Sequence, residues 1–175
     1  MAAKRETLAD VVSGSVPATD DPIWGRVLKV LTTFRPLPDA LEPALTVAFL
    51  REDMAEWMAK QRRGLSRFYA DGRSIKRGLG LEADLRTVGL SEAADIAKRA
   101  REIVGGSDDM FVTNVKLATG SETESLFNKL EDLNGELAAL DLGSALWTYL
   151  GKAKGTERII VPAQKKGFFS KLLGN

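Results

Sequence analysis

The chain has no cysteine and no histidine among its 175 residues. Thiolate nucleophiles, imidazole general bases and the Cys/His ligand sets of zinc are therefore missing. What remains is chemistry by carboxylate pairs, by Lys, Ser or Tyr nucleophiles, or by a hard cation held through oxygen. Acidic groups occur at Asp20-Asp21, Glu52-Asp53-Glu56, Asp108-Asp109 and Glu131-Asp132. Glu52 and Glu56 stand one helical turn apart and could face Mg²⁺ together, but the spacing of a calcium loop is absent. Solvated helix surface, or acids at helix starts where they offset the dipole, accounts for most of these groups. The phosphate-binding loop, the dinucleotide fingerprint and the G-x-S-x-G elbow are all missing, and Gly78-x-Gly80 is only a fragment of a glycine motif. No catalytic, cofactor or metal residue is assigned, and the chain reads as non-enzymatic.

Two basic stretches point to binding instead. The net charge is only +1, yet residues 60–101 carry 11 basic and 5 acidic side chains, while the flanking regions are net negative. Lys60, Arg62, Arg63, Arg67, Arg73, Lys76 and Arg77 crowd around Phe68 and Tyr69. Guanidinium groups on phosphates and rings stacked on bases would suit a nucleic-acid groove. Just beyond, Leu85-Arg-Thr-Val-Gly-Leu-Ser91 followed by a basic helix resembles a helix-turn-helix. In that resemblance Gly89 makes the turn, Ser91 caps the recognition helix, and Lys98, Arg99 and Arg101 face phosphates. It departs from the pattern at Leu85, where a small residue is usual, and at Asp95, where an apolar one is. A plain αα-hairpin explains the same residues, so nucleic-acid binding is the alternative reading.

The second stretch is the C-terminus. Lys165, Lys166 and Lys171 alternate with Phe168, Phe169, Leu172 and Leu173 after a Pro162–Gly167 linker. Such a peptide could lay its apolar side in a groove of a partner protein, or touch an anionic membrane surface peripherally. Partner docking is assigned to Phe168, Phe169, Lys171, Leu172 and Leu173. Leu126, Leu130, Leu133, Leu137 and Leu140 add the 4-3 rhythm of a helix seam, interrupted by Gly135. Packing within the chain explains that seam more simply than self-assembly does.

These residues must be positioned by helices. Asp21-Pro22 opens one, which Ile23, Val27, Val30, Leu31 and Phe34 continue until Pro36. Asp39-x-x-Glu42 has capping-box spacing and starts a second, apolar nearly all round from Ala44 to Leu50, reaching residue 70 or kinking at Gly64. Glu82–Val88 and Ser91–Val104 form the basic hairpin, Ser121-x-x-Glu124 caps the leucine helix, and Leu142–Leu150 is the last helix. Residues 111–117 fit helix or strand, and a strand there could pair with 158–161.

The expectation is a helix-dominated bundle of six or seven helices, with at most a two-stranded sheet. Residues 1–19 read as weakly ordered, 20–161 as one domain, and 162–175 as linker and docking peptide. An apolar share of 44% and a charged share of 28% suit a globular chain. No apolar run approaches the roughly 18 residues a membrane helix needs. The start, Met1-Ala-Ala-Lys-Arg-Glu6, lacks the apolar stretch of a secretory signal, so the expected location is the cytoplasm. The expected function is that of an adaptor, scaffold or subunit of a larger assembly, docking protein partners or further copies of itself.

Overall fold

The apolar run from Ala44 to Leu50 becomes the centre of the molecule. The computed structural model describes residues 6–61, 64–70, 75–117 and 127–162. Among these are nine α-helices and no strand. They are α1 (Leu8–Val12), α2 (Ile23–Thr33), α3 (Glu42–Lys60), α4 (Gly64–Ala70) and α5 (Ile75–Val88), then α6 (Ser91–Gly105), α7 (Asp108–Lys116), α8 (Glu131–Ala138) and α9 (Leu142–Lys152). Five consecutive buried positions, Ala44, Leu45, Thr46, Val47 and Ala48, with Leu50 after the half-buried Phe49, let α3 bury every side of its first half. It accordingly packs against α2, α4, α5, α8 and α9. No helix among the described residues is long and apolar enough to cross a membrane.

The count exceeds six or seven for identifiable local reasons. The expected long second helix ends at Gln61, whose φ of 51° leaves the helical region, and resumes at Gly64 with φ of 65°. Asn134 of α8 fixes that break, since its Oδ1 accepts the buried Leu65 N–H at 2.9 Å. A Cβ on residue 64 would lie 2.6 Å from that same oxygen. The expected capping box at Asp39 does not form; Asp39–Leu41 is a 3-10 turn, and α3 begins with Pro43 in its first turn.

Glycine at 78 and 80 does not interrupt α5, contrary to a helix starting only at Glu82. At Gly78 the missing side chain is a packing requirement: a Cβ would meet Phe111 Cζ at 2.8 Å and Tyr69 Cδ1 at 3.0 Å. Phe68, Tyr69 and Phe111 stack edge-to-face there, with centroids 5.7 and 5.3 Å apart. Ser91 is the first residue of α6 and caps nothing.

The two-stranded patch is absent among the described residues. Residues 108–116 are helical because Ser107 Oγ accepts the Met110 N–H at 3.3 Å, and Phe111 and Val115 then share the buried face. Ile160 pairs instead with Thr7, in one antiparallel bridge. There Leu8 N–H donates to Ile159 O at 2.7 Å and Val161 N–H to Glu6 O at 2.9 Å. Leu8 and Val12 of α1 are buried in the core.

Candidate functional site

The sequence between α1 and α2 lacks regular structure, yet three side chains from the bundle hold it in place. Trp147 Nε1 donates to Gly14 O at 3.0 Å, Trp24 Nε1 to Ala18 O at 2.9 Å, and Arg51 Nη2 to Thr19 O at 2.7 Å. The two tryptophans meet edge-on at 5.2 Å. Residues 16–19 thereby form one wall of an open cleft of about 550 Å³. Met54, Ala55 and Met58 of α3 form its floor, and residues 137–144, the turn from α8 to α9, form the opposite wall. Met58 is 46% exposed and Val16 43%, so two large apolar side chains face solvent across this cleft.

Its polar groups are few. The Arg51 guanidinium lies 3.8 Å from the Trp24 ring centroid. Its half-buried position pulls its pKa down, and the charges of Asp141 and Glu52 act against that pull. Asp141 is the N-cap of α9: Oδ1 accepts the Ser144 N–H at 2.9 Å and Oδ2 the Ser144 hydroxyl at 2.5 Å. Those two bonds, the hydroxyl first, hold its carboxyl below the usual carboxylate range. Gly143 lets these groups converge, since a Cβ there would lie 3.3 Å from Trp24, 3.4 Å from Arg51 Nε and 3.5 Å from Asp141 Oδ1. An apolar cleft with a few convergent polar groups is the usual form of a binding site.

The basic residues expected to bind nucleic acid are placed differently. Arg67, Lys76 and Lys98 are exposed, but Phe68 and Tyr69 are fully buried and present no ring to a base. Arg77 donates to Glu42 and to Thr46 Oγ1, each at 3.3 Å. Arg99 pairs through both terminal nitrogens with Glu136. Arg101 donates to Asp108 at 2.5 Å and Gly105 O at 2.8 Å, lying over Phe111. Arg86 joins Glu82 to Asp95 at 3.2 and 2.7 Å, clipping the α5–α6 hairpin across its turn. Asp95 is thus on the outside, and Leu85 is buried in the core. Arg62, Arg63 and Arg73 lie outside the described residues, as do Ser121, Leu126 and the tail residues Phe168, Phe169, Lys171, Leu172 and Leu173.

Glu52 is exposed and Glu56 pairs with Lys60 at 3.6 Å. No three acidic side chains converge into a metal-binding group among the described residues. Sequence reasoning missed Arg51 altogether, because its neighbours Thr19, Trp24 and Asp141 come from distant parts of the chain. Leu133 and Leu137 of the leucine series are buried against the chain's own helices. No protein-family model, curated protein or solved structure matches this chain.

Proposed function

We propose that this chain is a non-enzymatic interaction protein, an adaptor or subunit of a larger assembly, which receives a partner segment in the cleft between α3, residues 16–19 and the α8–α9 turn. The observation that carries this reading is the pairing of exposed Met58 and Val16 over an apolar floor. A helix or strand laid there would bury both, and apolar anchors in a groove are a recurrent mode of peptide recognition. The wall of residues 14–19 is held by three donated hydrogen bonds, so the cleft is formed before anything enters it. The C-terminal peptide, by its composition, adds a second docking element, and a cysteine-free chain suits the reducing cytoplasm.

Nucleic-acid binding through residues 60–101 is the weaker alternative. Arg77, Arg86, Arg99 and Arg101 already hold carboxylates of the same chain, which lowers the charge left for phosphate.

A photo-crosslinking amino acid placed at Met58, in cells that natively contain the protein, tests the proposal. It should trap a discrete adduct that is lost on Ala55→Arg and not seen with the crosslinker at Thr87, which is exposed and outside the cleft. Equal labelling from both positions, or none from Met58, overturns it.

A further inference from the structure

We infer that the segment received by this cleft carries a carboxylate, an Asp or Glu beside its apolar side chains, and that Arg51 binds it. The inference rests on the docking reading above and adds the chemistry of the partner. A guanidinium has five N–H donors, and those of a half-buried arginine that meet no protein acceptor are left for solvent or for a ligand. Arg51 uses Nη2 on the Thr19 carbonyl and one face on Trp24. Its Nε and Nη1 have no acceptor among the described residues.

The charges of Asp141 and Glu52 favour the Arg51 cation from nearby, but both Asp141 oxygens accept from Ser144 and neither acid is hydrogen-bonded to the guanidinium among the described residues. Nε and Asp141 Oδ1 lie within about 7 Å of each other, each near the empty side-chain position of Gly143. Elsewhere in the molecule guanidinium groups of similar burial are met by carboxylates, as Arg77 is by Glu42 and Arg101 by Asp108.

Charge also selects among occupants. Residues 163–175 of this chain bring Lys165, Lys166 and Lys171 and no acidic side chain. A guanidinium in the cleft lining with donors unused, beside an Asp141 whose oxygens are taken by Ser144, disfavours them and favours an acidic-apolar partner segment.

The probe is a display library of random peptides about a dozen residues long, selected on the full chain. Enriched peptides should combine Leu, Met, Phe or Trp with Asp or Glu and compete with crosslinking from Met58. The best peptide should bind about tenfold more tightly than its acid-to-amide twin, as expected for a charge-assisted hydrogen bond in a partly dry site. Arg51→Gln should bind the two twins alike, while Arg51→Lys keeps part of the preference. Should Arg51→Gln unfold, the twins on the unaltered chain decide the matter. Equal binding of twins that compete at Met58 overturns the inference and leaves the docking reading intact. Absence of any competing peptide overturns both, and a Met58 crosslink to residues 163–175 overturns the acidic partner.

Discussion

Of the arginines that lie over aromatic rings, the two nearest their rings, Arg51 and Arg101, differ in one respect of their surroundings. Arg101, 4.2 Å from the Phe111 centroid, is only 16% exposed and is closed off by Asp108 and the Gly105 carbonyl at the α6–α7 corner. Arg51, 3.8 Å from the Trp24 centroid, has a single backbone acceptor and faces a cleft. The first cation fastens two helices of the same chain. The second is held in place with donors to spare. A count of basic residues would rank the 60–101 region far above the single Arg51, yet four of its arginines, Arg77, Arg86, Arg99 and Arg101, are already paired with carboxylates of the chain.

The largest effect should come from opening the closed corner. Phe111→Ala removes a fully buried ring that Tyr69, Gly78 and Arg101 all touch, and should cost about 3–5 kcal/mol in denaturant unfolding. A loss below about 1 kcal/mol would mean that the corner is not closed. Next, Arg101→Gln should cost about 1–3 kcal/mol, because it leaves the Gly105 carbonyl without its donor. Arg51→Gln should cost less than about 1 kcal/mol, since relief of a half-buried charge offsets the lost bond to Thr19. The reverse order would break the comparison.

Removing the acid beside the open arginine gives a pH signature. Asp141→Ala should lower stability by about 1 kcal/mol at neutral pH through loss of the α9 cap. Its folded pKa lies below the unfolded value, so the contribution is present above the unfolded pKa. It is lost as pH falls through the folded one. Wild type and variant should therefore converge in acid. The smallest effect should have the opposite sign. Asp84 is half-buried, and desolvation raises its pKa against the help of Thr46 and Arg77. The folded state then binds its proton more tightly than the unfolded state does, so ionisation opposes folding. Asp84→Asn should raise the melting temperature slightly at pH 7, with the gain fading as pH drops into the carboxylate range.

Helical periodicity made much of the fold legible. Ile23, Val27, Val30 and Leu31 mark α2, Ile96 and Ala100 mark α6, and the apolar girth of Ala44–Leu50 marks the central helix. What misled was local signal outweighed by packing. Gly78 looks like a helix breaker until Phe111 and Tyr69 occupy the space it leaves. Phe111, Thr113, Val115 and Leu117 alternate like a strand, but Ser107 commits the segment to helix. The cleft was illegible for a different reason. Thr19, Arg51 and Asp141 have no spacing that marks them as neighbours, and only the docking of α2, α3 and α9 brings them together.

The Thr7–Ile160 bridge has a practical consequence. Glu6 and Val161 are hydrogen-bonded neighbours, and Arg26 ties Glu6 at 3.1 Å and the Pro162 carbonyl at 3.1 Å to the same guanidinium. Everything between them is a loop already closed at its stem. Such a body can be spliced whole into a surface turn of a host protein, entering and leaving by adjacent strands of backbone. Its cleft would then be carried along as a unit, oriented by the host through a two-point mount.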